Sequence, residues 1–499
     1  MIDYSKIETT KAEPEASSMI ETFRAVGYNL ETAIADIIDN SISAHANNIW
    51  VDYKWNGPET IIFITDDGHG MSNEEIIQAM RPGCRNPLEQ RTLYDLGRFG
   101  LGLKTASFSQ CRKFCLISKI SGGESAYWTW DLDYVNQSKA WDILKYKPDY
   151  EIYYEKLKKL NSGTVVVWWD IDRLTKESGK SDERAKAKFF EVMESSKNHI
   201  GMVFHRFIQN GLNIYFRDRK IIPWDPFMIG TDGIQTRPET KIADGQIIVQ
   251  GFILPHRSKL TPEDYDYGKG PKDSWTHHQG FYIYRNNRLL VAGDWLGMFK
   301  KETHYDLCRI KLDITNKFDI DWNIDIKKSQ AIPPPQYREQ ISALAKEARA
   351  LAVEVYRHRG KIIKRTFTKN DYFPIWEEYV RHGKLFFKLN RRHPIIRDLL
   401  DAENSSRNNI KNAFKFIEET IPVPLIMIRE NEGEITHGIP FEGISHDPIL
   451  HNMQEMYRQM INNGYSSEDA KARIANIEPF DSYLEYLDHL EDAVEQRGN

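Results

Sequence analysis

The feature that most constrains this chain is a strand that runs directly into a glycine turn. "TIIFITDDGHGM", residues 60–71, joins a run of β-branched and aromatic residues to Asp66-Asp67-Gly68-His69-Gly70-Met71. A carboxylate at a strand end can accept from an exocyclic amine in a closed pocket. Glycines two and four residues later let the backbone turn tightly against a flat ring. Taken singly, the same letters also describe an ordinary acidic β-turn, so the neighbouring segments have to decide.

Upstream, "ADIIDNSISA" (residues 35–44) reads as a helix capped by Asn29. Ile34, Ile37, Ile38 and Ile42 share one flank, and Asp36, Asp39, Asn40 and Ser43 fall opposite. Asp36 and Asn40 lie one turn apart on the same face. The amphipathic pattern alone predicts that this polar flank faces solvent.

Downstream, residues 81–96 lose periodicity and form a loose lid. "GRFGLGLKTAS" then reopens order as a glycine loop entering a helix. Bare Cα atoms, the free amides of a helix N-terminus and a nearby Lys104 suit a polyphosphate. The segment fits neither GxxxxGK[ST] nor GxGxxG, so the P-loop and dinucleotide fingerprints are excluded. A strand beginning Gly163-Thr164 follows.

Composition sets the outer limits. The 499 residues exceed one ordinary core, and 67 Lys plus Arg against 72 Asp plus Glu give no global basic charge. Cys84, Cys111, Cys115 and Cys308 have no CxxC spacing, which argues against a zinc module or disulfide framework. The polar N-terminus has no apolar signal core and no run approaches a membrane span, so a cytoplasmic protein with no membrane partner is expected.

Along the chain, a flexible arm is expected over 1–18, with Ser17 or Ser18 capping a short helix through Arg24. "NNIWVDYKW" and residues 60–66 predict a hairpin, and "SNEEIIQAM" a helix with Ser72 and Glu75 in a capping box. A charged helical link over 172–196 leads into a second α+β region, marked by "GFYIYRNNRLLVAG" with Asn286-Asn287 in its turn. "AIPPP" at 331–335 is a boundary signal. Helices are expected over 337–363, 447–462 and 466–476, and in the acidic terminal stretch "YLEYLDHLEDAVEQ".

The order helix, strand–DxGxG, lid, GxGxK, strand–GT resembles the GHKL ATPases, the superfamily of gyrase, MutL-type mismatch-repair proteins, heat-shock chaperones and histidine kinases. "GRFGLGLKTAS" and "GFYIYRNNRLL" further resemble MORC ATPases and their prokaryotic relatives. The resemblance implies an α+β chain: a Bergerat-type α/β sandwich ATPase domain at 19–171, an α+β transducer domain at 172–335 and a mainly helical interaction region at 336–499.

It also implies roles. Asn40 would ligate Mg²⁺ through its amide oxygen, and Asp66 would bind the adenine amine of ATP, supported by Gly68 and Gly70. Ser43, Ala44 and Met71 would line the same pocket, with Thr164 beneath the adenine. Gly97, Phe99, Gly100, Leu101, Gly102, Leu103, Lys104 and Thr105 would hold the phosphates. Asp36 takes the position of the family's water-orienting glutamate, one methylene shorter. Glu31, about 140° away around the helix, cannot replace it. Ser43 stands where the family often has Asp. In "DWNIDIKKSQAIPP", Lys328, or its neighbour Lys327, is the candidate γ-phosphate sensor.

Two functions follow from that resemblance. One is a slow, Mg²⁺-dependent ATPase that homodimerises on ATP and clamps DNA in a prokaryotic defence or restriction system. The other is a nucleotide-gated scaffold of little turnover that signals to a separate effector protein.

Overall fold

The computed structural model describes residues 7–25, 27–83, 101–149, 154–175, 179–315, 322, 331–357, 373–381, 384–401, 407–421 and 446–490. They form two compact units, residues 1–360 and 361–499.

The first unit opens with α1 (Ala16–Arg24) and α2 (Leu30–Ser43). The cap of α1 is Glu15 rather than Ser17 or Ser18: its carboxylate accepts from the Ser18 amide at 3.2 Å and from both serine hydroxyls. This helix begins inside the segment expected to be an arm, and Ala16 and Ser17 are buried. Asn29 caps α2 as expected, its Oδ1 accepting from the Thr32 amide at 2.9 Å.

Strands β1 (Asn48–Lys54) and β2 (Ile61–Asp66) form the expected antiparallel hairpin. Next come α3 (Asn73–Met80), with the Ser72–Glu75 capping box, and α4 (Gly102–Gln110). Strands β3 (Lys113–Lys119), β4 (Ala126–Asp131) and β5 (Gly163–Trp169) complete the centre of the sheet. Beyond a helix at Glu183–Val203, β6 (Asn213–Phe216) and β7 (Arg219–Lys220) extend the same sheet, so it draws on residues past 171. Its order is β4-β3-β5-β2-β1-β6-β7, with β1 and β6 parallel.

The central strands are apolar on both sides because both faces are covered. Ile62, Ile64, Leu116 and Trp168 pack with Ile34, Ile37 and Ile38 of α2, while Phe63, Cys115, Val165 and Val167 pack with Tyr154 and Leu157. Burying each of the α2 isoleucines contributes about 1.5–3 kcal/mol. The α2 polar residues are therefore held at fixed positions above the sheet.

A second sheet follows: β8 (Gln235–Thr236), β9 (Thr240–Ile242), β10 (Ile247–Ile253), β11 (Gly280–Arg285), β12 (Arg288–Asp294) and β13 (Cys308–Ile314). Its order is β12-β11-β13-β10-β8, with β9 also paired to β10. The turn between β11 and β12 is Asn286-Asn287, both left-handed (φ 49° and 67°), which is the chirality a two-residue hairpin turn demands. Period-2 alternation turns Tyr282 and Tyr284 toward the first core, and Phe281 and Ile283 toward Ile341, Ala345 and Ala348 of the helix Pro335–Arg357.

In the second unit, β14 (Trp376–Arg381) pairs with β15 (Lys384–Leu389), and the rest is mainly helical: Pro394–Asp401, Arg407–Glu419, Asp447–Asn462 and Ser467–Ile474. Ile449, Met453, Ile474 and Phe480 form its core. The acidic stretch expected as an amphipathic helix is a short 3₁₀ segment, Leu484–His489, as far as residue 490. Among the described residues, no helix is long and apolar enough to cross a membrane.

Candidate functional site

The solvent-facing expectation for the α2 polar flank is wrong for its two aspartates. Asp36 is 2% exposed and Asp39 1%, while Asn40, which follows Asp39, is exposed. Buried carboxylates need donors, and each has one from outside the helix. The Tyr28 hydroxyl donates to Asp36 Oδ2 at 2.7 Å. Arg288 Nε lies 3.4 Å from Asp39 Oδ1.

The second buried carboxylate cluster is built around Asp66, the last residue of β2. Ser41 of α2 donates to Asp66 Oδ2 at 2.8 Å, and the Gly68 amide to Oδ1 at 3.0 Å. Burial pushes the Asp66 carboxyl up to about 6, against the Ser41 and Gly68 donors, which favour its ionised form. The adjacent Asp67 has a different task. Its Oδ1 accepts from the Asn47 and Asn48 amides, each at 2.8 Å, and its Oδ2 from Asn48 Nδ2 at 2.7 Å. Asp67 thus fixes the loop before β1, and only Asp66 turns toward α2.

The glycines are required by contact. A Cβ on Gly68 would lie 2.8 Å from Ala44 Cβ, and one on Gly70 (φ +72°) only 1.9 Å from the Lys119 carbonyl oxygen. The chain after β2 therefore passes directly over the end of α2 and against the end of β3, where Ala44 O accepts from the His69 amide at 3.0 Å. Thr164 pairs with Asp66 in the β2–β5 ladder. Its hydroxyl lies 2.8 Å from that of Ser118, which also accepts from the Met71 amide at 2.8 Å and donates to Gly163 O at 2.9 Å.

Helix α4 closes the other side. Leu101 at its N-cap gives the first-turn amides no side-chain cap, and the Asp36 carboxylate faces this positive end. Asp36 Oδ2 lies 3.5 Å from where a Cβ on Gly102 would be. Arg24 holds the opposite end of α4, donating to Phe108 O at 2.8 Å and Cys111 O at 3.0 Å.

Thus Asp36, Asn40, Ala44, Asp66, Gly68, Gly70, Met71, Gly102 and Thr164 gather around one side of α2 and its C-terminus. Other expected residues are engaged elsewhere. Ser43 and Thr105 donate to carbonyls of their own helices, Asp39 O and Leu101 O. Leu101 and Leu103 pack against the core. Lys104 is buried, its Nζ donating to Ala79 O at 2.9 Å. Gly97, Phe99, Gly100, Lys327 and Lys328 lie outside the described residues.

Sequence reasoning missed Tyr28, Ser41, Ser118 and Arg288. Ser118 carried a readable signal: it ends the core-facing series Phe114-Leu116-Ser118, a polar residue where the alternation calls for an apolar one. Among the described residues, no group of three or more His, Cys, Asp or Glu could hold a metal. A carboxamide such as Asn40, with phosphate and water oxygens, is still a donor set that Mg²⁺ accepts.

Comparison with known proteins bears on this geometry. The family described as histidine kinase-, DNA gyrase B-, and HSP90-like ATPase matches residues 28–164. The "ATPase morc-1" of Caenorhabditis elegans is 33% identical over 91 residues, 18% of this chain and 10% of that protein. The "DNA mismatch repair protein MutL" of Dictyoglomus thermophilum is 33% identical over 90 residues, 18% of this chain and 16% of its own. The protein of the same name from Dictyoglomus turgidum is 30% identical over 98 residues, covering 19% and 17%. The chain thus spans less than a fifth of the length of the curated relatives it matches. Residues 28–164, with their buried Asp66, their glycine turn and the Asp36–Asn40 helix, are an ATPase domain of the GHKL superfamily, and the chain resembles its MORC-like members.

Proposed function

We propose that this domain binds ATP with Mg²⁺, hydrolyses it slowly, and uses nucleotide-driven pairing of two copies as a clamp or switch. The observation that carries the reading is the pair of buried carboxylates presented along α2. Asp66 is held by Ser41 and Gly68 at one end, and Asp36 stands against the start of α4 a turn and a half away.

In this reading Asp66 accepts from the adenine amine, and the Gly68–Gly70 turn leaves room for the ring. Thr164 supports the ring from below. Asn40, the exposed member of the helix, supplies an amide oxygen to Mg²⁺. The first-turn amides of α4 take phosphate oxygens, as unpaired helix N-termini do. Asp36 orients water for attack on the γ-phosphate. Gly97, Phe99, Gly100 and Lys328 belong to the proposal by resemblance alone. So does DNA as the clamped partner, with a defence role, since those ideas come from the relatives.

A second reading, a nucleotide-gated scaffold signalling to an effector, is favoured by one observation: Asp36 is a short acid whose Oδ2 is already engaged by Tyr28. Phosphate release and binding of a fluorescent ATP analogue by the full chain, with Mg²⁺ and with EDTA, separate the readings. Mg²⁺-dependent turnover supports the ATPase, and tight binding without turnover supports the scaffold. A folded protein that binds no ATP at millimolar concentration overturns both.

A further inference from the structure

We propose that Arg288 is a positioning residue for the nucleotide site, acting through Asp39 from the second sheet. The assignment rests on the ATPase reading above and concerns how α2 is held in register.

Arg288 is the first residue of β12, immediately after the Asn286-Asn287 turn. It is 3% exposed, and its guanidinium donates to its own neighbour Leu289 O, lies over the Phe204 ring and reaches Asp39 on α2. The turn end of that hairpin is itself fixed. The Tyr284 hydroxyl lies 2.8 Å from His205 Nε2, Arg206 stacks 3.4 Å above the Tyr284 ring, and Arg206 pairs with Asp313 of β13. A rigid arm therefore touches α2 from the side opposite the first sheet's glycine turns.

A buried ion pair is a poor way to gain stability, because desolvation of two charges offsets most of their attraction. It is a good way to fix geometry, since a guanidinium satisfies a carboxylate only over a narrow range of angles. Asp39 precedes Asn40 and lies one turn from Asp36, so whatever fixes Asp39 also fixes the rotation of both. A rotation of α2 by about 10° carries a side-chain tip, about 6 Å from the axis, through roughly 1 Å. A misplacement of that size costs roughly a hundredfold in rate. The apolar packing of Ile34, Ile37 and Ile38 holds one flank of α2 against the sheet, and the Arg288–Asp39 pair adds a directional tie on another.

The test compares the full-length wild type with Arg288→Met, Arg288→Lys, Asp39→Asn and the double variant Arg288→Met/Asp39→Asn. Turnover is titrated with Mg²⁺, kcat and KM are separated, ADP binding is measured in EDTA, and thermal midpoints are recorded. Arg288→Met should lower kcat roughly 10- to 100-fold and raise the Mg²⁺ needed for half-maximal turnover. Arg288→Lys should recover part of the loss.

The double variant is decisive, and stands in if a single variant fails to fold. Each single change removes one charged partner from a buried charge. The double variant should therefore regain thermal stability without regaining kcat or Mg²⁺ dependence. If kcat returns together with the thermal midpoint, the pair is structural only and the assignment is overturned. Unchanged kcat and Mg²⁺ dependence in Arg288→Met overturn it as well. A wild type that binds nucleotide but shows no turnover overturns the ATPase reading itself, a distinct failure.

Discussion

The Ser41 hydroxyl donates to Asp66 across 2.8 Å, joining the fourth turn of α2 to the last residue of β2. This bond makes an expensive buried carboxylate tolerable, and with the Gly68 amide it leaves the group poised to accept from a ligand. Between about 3.8, where the unfolded carboxyl titrates, and about 6, the folded protein retains a proton that the unfolded chain has released. Stability from this group therefore rises as pH falls from about 6 toward 4, and its cost is fully in force above 6. A shift of about two pKa units corresponds to roughly 2–3 kcal/mol.

Asp66→Asn should thus abolish ATP and ADP binding without lowering stability at neutral pH. The wild type should lose ADP affinity below about pH 6, roughly tenfold per unit once the carboxyl is mostly protonated. Calorimetric titration at about pH 5 and pH 7.5, with melts of both proteins, reads these effects. ADP affinity unchanged across that range would remove Asp66 from its assigned role.

Gly70 and Gly83 make a matched pair for testing the turn. Both have left-handed backbones, φ +72° and +68°, but a Cβ on Gly70 meets Lys119 O at 1.9 Å whereas one on Gly83 meets nothing within 4 Å. Gly83→Ala should cost about 1 kcal/mol from the backbone alone. Gly70→Ala should cost more than about 3 kcal/mol, because the turn must separate from β3. Equal losses in urea denaturation would show that the contact contributes nothing.

Much of this arrangement was readable in the sequence, and the unread part has a common cause. Local chemistry announced itself: Asn29 and the Ser72–Glu75 box cap their helices, and Asn286-Asn287 turns its hairpin. The burial of Asp36 and Asp39 did not, because their donors come from Tyr28 in the preceding loop and from Arg288, 249 residues along the chain. A helical wheel sees polarity but not partners. The α1 cap is Glu15 because the helix starts two to three residues before the point at which a Ser17 or Ser18 cap would begin it, and the Glu15 carboxylate reaches the Ser18 amide.

Nucleotide-driven pairing has its own readout. With Mg²⁺ and a non-hydrolysable ATP analogue, sedimentation velocity should move the full chain from monomer to dimer, and Asp66→Asn should stay monomeric under the same conditions. If the wild type stays monomeric at saturating nucleotide, the clamp is wrong even if turnover is present.

Asp36 decides between enzyme and scaffold. Its Oδ2 is held by Tyr28 and stands 3.5 Å from the Cβ position of Gly102, so this aspartate already reaches the start of α4. An added methylene would carry the carboxylate off the Tyr28 hydroxyl that now positions it, and a misplacement of about 1 Å costs rate. Asp36→Glu should therefore lower turnover rather than raise it. Asp36→Ala should retain ATP while losing roughly 10²–10⁴ in kcat, the range for a positioned base. Tyr28→Phe should fall between wild type and Asp36→Ala in kcat, with KM unchanged, because it takes one donor from the carboxylate without removing the carboxylate. Faster turnover in Asp36→Glu would mean that the short acid is a handicap, and the scaffold reading would then account better for its presence.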